Sequence, residues 1–158
     1  MSRLLQYVTF ATALGCGLSA GVFFAFASFI MPALDRLAPA QSIRAMNSIN
    51  KLAVTPVFMT ALFGTALTSI ALAIVSVVRH EGSAVYAVIA CALYLVGIIL
   101  TIVYHVPHNN ALDAIDPTAA DSAAYWRDYV SGWTGWNHVR TVSAIAASAV
   151  LTWSATRG

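Results

Sequence analysis

Charge is what this sequence has least of. Eight basic and six acidic side chains are spread over 158 residues, against 59% hydrophobic ones. A soluble domain carries about 25% charged residues, and one this short leaves roughly a third of its extended-chain surface in water. The scarcity therefore excludes an ordinary water-soluble fold, and the mean hydropathy of +0.78 points to lipid as the solvent. A formal net charge of +2, with no Lys/Arg cluster and no basic-aromatic interleaving, excludes nucleic acid as a partner. Cysteine is also scarce. Cys16 and Cys91 both fall inside apolar runs and read as buried thiols acting as small hydrophobes, not as a disulfide or a metal pair. No GxGxxG and no P-loop occurs, so no motif announces a nucleotide, flavin or nicotinamide cofactor.

What is present is a set of long apolar runs. About 20 apolar residues cross the hydrocarbon of a bilayer. Leu4–Met31, Leu52–Val78 and Ala84–Tyr104 do so without a charge. Arg3 ahead of an apolar stretch has the look of a signal peptide, but the stretch runs on to Leu34, far beyond a signal core; it is expected to be the first membrane helix. Asn137–Trp153 is a fourth, weaker run that includes Arg140, and the segment before it, Asp121–Trp136, is aromatic and polar. Between the first two runs, Ile43, Met46 and Ile49 share one helical side, with Arg44, Asn47 and Lys51 on another, which predicts a short amphipathic helix at the interface. Pro32 and Pro39 bracket the expected exit of the first helix, Arg79–Gly82 a tight turn, and Pro107 and Pro117 the exit of the third. The expectation is one all-α membrane domain over residues 1–158. Its four transmembrane helices fall at about 4–31, 54–78, 84–105 and 122–155, the last with an extended aromatic start, and its interfacial helix at about 40–51.

Four crossings put both termini and the Arg79–Gly82 turn on one side. The basic residues count three (Arg3, Arg79, Arg157) against four (Arg36, Arg44, Lys51, Arg127) across the two sides, so the charge rule for orientation barely speaks. Cytoplasmic termini in a bacterial inner membrane are the expectation, because the terminal side is compactly basic and the other mixes in aspartates. Gly17 and Gly21 form a GxxxG pair, used in lipid either for packing within the bundle or for a homo-oligomer.

Hairpin threading also sorts the polar residues. Asn47 and Asn50 precede the second membrane helix; His105, His108 and Asn109 end the third; Trp126, Tyr129, Trp133, Trp136, Asn137, His138 and Arg140 lead into the fourth. All are brought to one membrane face. Trp126, Trp133, Asn137 and Arg140, spaced by seven, four and three, share one helical stripe. An Arg at the bilayer core costs about 2.5–3.5 kcal/mol on insertion scales, so Arg140 needs a partner or a route to the interface. Two readings stay open: an aromatic belt with a snorkelling Arg, or a site, which would explain why an amide shares the stripe. His105 and His108 form His-x-x-His, and His138 is a third imidazole. Such nitrogens hold Zn, Cu or haem iron, act as general bases near neutral pH, or simply bond at the interface. No carboxylate or thiolate completes a metal signature. Asn47 and Asn50 either cap helices or orient a ligand oxygen. Met31, Phe23, Phe24, Phe26 and Phe29 are expected in core and lipid contacts, with an apolar pocket near the polar rim as their other use.

Four motifs then stand in order: Phe23–Leu34 (FFAFASFIMPAL), Ala45–Asn50 (AMNSIN) followed by Pro56-Val-Phe58, Val106–Leu112 (VPHNNAL) and Trp126–Arg140 (WRDYVSGWTGWNHVR). Together they resemble the anthrone oxygenase-like family of small integral membrane proteins. The resemblance implies a four-helix membrane bundle. It also implies an activity, since some members are oxygenases that turn polyketide anthrones into anthraquinones without a recognised flavin, haem or nicotinamide motif. It carries over to Met31, Pro32, Asn47, Asn50, Pro107, Asn109, Trp126, Trp133, Asn137 and Arg140. His105 and His108 depart from the pattern, which has Asn and Leu there more often, so no family role reaches them. The first expectation is an oxygenase for an apolar aromatic, anthrone- or quinone-like molecule entering from the bilayer. His105 or His108 is its base, Arg140, Asn109 and Asn137 stabilise the oxyanion, Trp126, Trp133 and Trp136 stack on the rings, and Asn47, Asn50, Tyr129 and Met31 complete the binding site. The alternatives are a metal- or haem-binding redox protein using His105, His108 or His138, and a non-catalytic packing or small-molecule-binding module.

Overall fold

The structure is a computed structural model that describes residues 2–157. Among the described residues it is all-helical, with five helices: α1 (Arg3–Leu34), α2 (Pro39–Ala53), α3 (Pro56–Val78), α4 (Ala84–Asp113) and α5 (Ser122–Thr156). The starts follow from local chemistry. Ser2 accepts from the Leu5 N–H at 3.3 Å and Thr55 from the Phe58 N–H at 3.3 Å, each satisfying a donor that a helix leaves free. Pro39 and Pro56 occupy first turns, where their missing N–H costs nothing. The turn after α3 passes through His80 at φ 52°, a left-handed conformation in which the Glu81 N–H reaches the Ser76 carbonyl at 3.0 Å.

The first and third membrane helices end inside the expected proline brackets, but past the first proline of each pair. α1 continues through Pro32 to Leu34, and α4 through Pro107 to Asp113. A proline inside a helix clashes with the carbonyl four residues earlier, here Ser28 and Val103. Both lie in single wide π turns, Phe26–Ile30 and Thr101–His105, whose extra residue lets the helix pass the ring. Such turns concentrate at functional sites, and these two stand at the same end of the molecule.

α1, α3 and α4 are long and apolar enough to cross a bilayer. Their outer faces expose large apolar side chains, among them Leu14, Leu67, Ile74, Val88 and Ile99. The chain is an integral membrane protein. α5 is the longest helix but is not among the three; Asn137 and Arg140 interrupt its apolar face. It packs along α1 and α4, while α3 packs on α4 and α1. Close approach is written into small residues: a side chain at Gly15 would collide with Thr65, and one at Gly17 would meet Ser148 Oγ at 3.3 Å, whereas Gly21 faces open space.

Two cores stack along the helices. One, around Cys16, Phe23, Leu62, Tyr94 and Leu151, fills the half nearer the termini. The other gathers Met31, Ile43, Met46, Leu112, Trp126, Tyr129 and Trp133 where α2 lies against α5 and the last turns of α4. α2 is fastened there by Ser42 Oγ donating to the Leu34 carbonyl at 2.7 Å, Asn47 Nδ2 to the Leu112 carbonyl at 3.4 Å, and a Lys51–Asp113 ion pair at 2.9 Å. In the loop before α5, Thr118 donates to Asp116 from its backbone and its hydroxyl, which holds that carboxyl below its ordinary value.

Candidate functional site

A cavity of about 200 Å³ lies between the two cores, at the level of the wide turns. Its walls are apolar: Phe23 and Phe26 from α1, Ile49 from α2, Phe58, Met59 and Leu62 from α3, Ile102 from α4. Its polar lining is Asn50, Thr101, His105, Asn109, Asn137 and Arg140, with the Trp133 indole among them. Asn109, Asn137 and Arg140 thus face one space and not lipid or bulk water.

The stripe on α5 turns inward. Trp126, Trp133, Asn137 and Arg140 are all buried, Arg140 with only 6% of its surface exposed. A snorkelling Arg would reach the interface; this one stays inside. Its guanidinium lies 3.8 Å over the Phe23 ring and donates through Nη1 to Asn137 Oδ1 at 3.2 Å. Asn137 is held in turn by donating Nδ2 to the Phe23 carbonyl at 2.7 Å, just before the wide turn of α1. The Arg140 Nε is buried without a hydrogen-bond acceptor, and among the described residues no carboxylate pairs with this cation. A buried charge without a counter-charge is expensive, and the groups set against this one are the Asn137 amide oxygen and the Phe23 ring.

His105 is the second incomplete group. It is 2% exposed, its ring lies edge-on to Trp133 at 4.8 Å between centroids, and neither ring nitrogen has a hydrogen-bond partner. The wide turn of α4 ends on this residue and aims it at the cavity. Asn50 Nδ2 is the third, a buried amide without an acceptor.

Asn109 is the opposite case. Its Nδ2 donates to Asn50 Oδ1 at 3.0 Å, and its Oδ1 accepts from Tyr129 Oη at 2.8 Å and Trp133 Nε1 at 3.0 Å. Both ends of the amide are engaged, so Asn109 fixes the site's other members, with one N–H of its amide nitrogen committed to Asn50.

The remaining sequence-predicted residues are elsewhere. His108 is exposed, donates Nδ1–H to the Tyr104 carbonyl at 2.7 Å, and stacks on the Tyr104 ring at 3.9 Å. His138 is exposed on another face, beside Met31, Pro32 and Asp35. The three histidines therefore do not converge, and among the described residues no group of three His, Cys, Asp or Glu is arranged to hold a metal ion. Trp126 donates Nε1 to Asp35 at 3.0 Å and stacks with Tyr129. Trp136 is half-exposed against Tyr104. Neither reaches the cavity, so of the three predicted ring-stacking indoles only Trp133 lines it. Met31 and Tyr129 are buried in the second core, and Asn47 uses its Nδ2 on α4 while its Oδ1 stays unpartnered.

Sequence reasoning missed the part of Phe23, whose ring and carbonyl seat both Arg140 and Asn137, and the walls from Phe58, Met59 and Thr101. A signal existed for one of these, the Pro56-Val-Phe58 segment after α2. Nothing local marks Phe23, because its contacts are set by the wide turn and by a helix more than a hundred residues away.

No curated protein and no solved structure matches this chain. The family model described as anthrone oxygenase matches residues 44–150, about two thirds of the chain, a stretch that runs from α2 through the greater part of α5 and holds every orphaned polar group of the cavity. The chain belongs to the anthrone oxygenase family.

Proposed function

We propose that the protein is an oxygenase for an electron-rich phenol, or for the keto tautomer of one such as an anthrone, oxidised within the bilayer at the carbon para to the oxygen. The observation that carries this reading is Arg140, a buried cation without a carboxylate, beside an imidazole with both nitrogens free. The family match supports oxygenase chemistry. α5 serves as a fourth crossing through Asn137–Trp153, supported by its packing between α1 and α4 and by its exposed Val142, Ile145 and Trp153. The termini then lie together, on the cytoplasmic side of an inner membrane.

The chemistry proceeds on the chain's own groups with dioxygen as oxidant. His105 takes the substrate's acidic proton, and the resulting anion rests its oxygen against Arg140 and the Asn50 amide. A preorganised donor set in a water-poor cavity stabilises such an anion far better than water-exposed groups would. The anion passes one electron to O₂, and the two radicals combine to form a C–O bond at the para carbon. That carbon then loses its hydrogen as a proton while the O–O bond breaks. A carbonyl remains, and the released hydroxide takes up a proton and leaves as water. Substrate and O₂ become quinone and water, with two hydrogens lost from the substrate.

Oxygen uptake by protein in lipid nanodiscs, with an electron-rich phenol unsubstituted at the para carbon as substrate, tests this. His105→Ala should lower turnover about 10²–10⁴-fold, and Arg140→Met about 10²–10³-fold. Unchanged turnover in both variants contradicts the reading.

A further inference from the structure

The cavity is not closed. Of its lining residues, those exposed on the surface are Val54 at 71%, Ile102 at 55%, Val106 at 45% and Phe63 at 38%. All are apolar, and all come from α3, α4 and the connection into α3. The cavity therefore opens sideways between α3 and α4, and the apolar residues beyond the mouth, Leu67, Ile99 and Val103, are exposed as well. The mouth gives onto lipid. Packing between α3 and α4 is concentrated in the 84–100 stretch of α4, so the two helices leave this slot open where α4 widens at Thr101–His105.

Size and polarity then constrain the occupant. A cavity of about 150 Å³ takes a single benzene ring, and this one is about a third larger. By that measure it seats one substituted ring or two fused ones. The unpartnered donors, Arg140 Nε, His105 and Asn50 Nδ2, lie on the walls made by α5, α4 and α2, so an ionising oxygen is drawn inward and away from the mouth. What fills the mouth must be apolar.

Resting on the oxyanion reading above, we infer that the ligand is a one- or two-ring phenol carrying an apolar tail. Its ring sits in the cavity and its tail lies in the slot between α3 and α4, out into the bilayer. The polar head finds the orphaned donors, and the tail covers Phe63, Ile102 and Val106 without requiring any group on the protein to be desolvated. Entry is lateral, and the tail never leaves lipid.

Binding to protein in nanodiscs, corrected by empty nanodiscs for partitioning, provides the test. The probes are a monocyclic phenol with a ten-carbon alkyl tail, the same phenol without the tail, and an unsubstituted three-ring anthrone. The tail is expected to strengthen binding at least tenfold beyond partitioning. Filling the slot with Ile102→Trp and Val106→Trp, both on the lipid-facing surface, should reduce that ratio to near one. The inference is overturned if the tail brings no advantage in the unmodified protein, if the advantage survives in the filled slot, or if the bare anthrone binds more tightly than the tailed phenol. The oxyanion reading fails separately: Arg140→Met would then bind the tailed phenol as well as the unmodified protein does, with the tail ratio unchanged.

Discussion

The two halves of the helical stack use buried polar residues in opposite ways. In the half nearer the termini, polar side chains finish one another. Thr9 and Thr12 donate back to Leu5 and Val8, Tyr94 bonds Ser19 at 2.7 Å and the Leu62 carbonyl at 3.1 Å, and Ser148 bonds the Ala13 carbonyl. Ser69, beside the Cys16 thiol, is the exception. In the other half the helices widen at two turns, and Arg140 Nε, both nitrogens of His105 and Asn50 Nδ2 are left without partners around one cavity. Hydrocarbon penalises an unmet donor by several kcal/mol. The contrast therefore separates polar groups that hold helices together from polar groups kept ready for something else.

The largest test of that distinction is Asn109, an amide in the open half that is engaged at both ends. Asn109→Ala would leave Tyr129 Oη, Trp133 Nε1 and Asn50 without their partner, an expected loss of about 3 kcal/mol read by chemical denaturation in detergent, together with a loss of turnover as Trp133 shifts. A loss of turnover without a loss of stability would place Asn109 among the reacting groups instead. Gly15→Val should cost about 1–3 kcal/mol by overpacking against Thr65, with ligand affinity unchanged. Tyr94→Phe removes two completed bonds and is expected to cost about 1 kcal/mol, in line with interhelical hydrogen bonds in membranes, again without effect on turnover. If it abolished turnover, the closed half would not be merely structural. Smallest is His80→Gly, which relieves a left-handed backbone and should stabilise by about 0.5 kcal/mol, seen as a small rise in melting temperature.

How much of this was legible follows from how far each signal reaches. Apolar run length is local, so the three hydrophobic spans and the amphipathic α2 could be read directly. So could the shared stripe of Trp126, Trp133, Asn137 and Arg140, because 3.6-residue periodicity needs no tertiary knowledge, although not the direction in which it points. The proline pairs located both helix exits, at Leu34 and Asp113, but not the passage of each helix beyond its first proline, which two wide turns allow by absorbing the clash. The histidines divided for the same reason. At 100° per residue His105 and His108 lie only about 60° apart on one side of the helix, so periodicity alone does not tell which of them meets the cavity. Trp126 and Trp136 looked like ring-stacking residues, yet the hydrogen bond to Asp35 and the contact with Tyr104 occupy them. Phe23 could be read as a pocket wall, but its seating of Arg140 could not, because that role depends on a residue 117 positions later.

The central claim is that Arg140 is held at a cost to the fold in order to meet an anion. It is tested most directly by measuring the thermal stability of Arg140→Met beside the unmodified protein, with and without a tailed phenol. The account predicts that the variant alone melts at the same temperature or higher, since a buried unpaired charge has been replaced by a packed apolar chain, and that the phenol stabilises only the unmodified protein. A variant that melts well below the unmodified protein, and is still stabilised equally by the phenol, would contradict it.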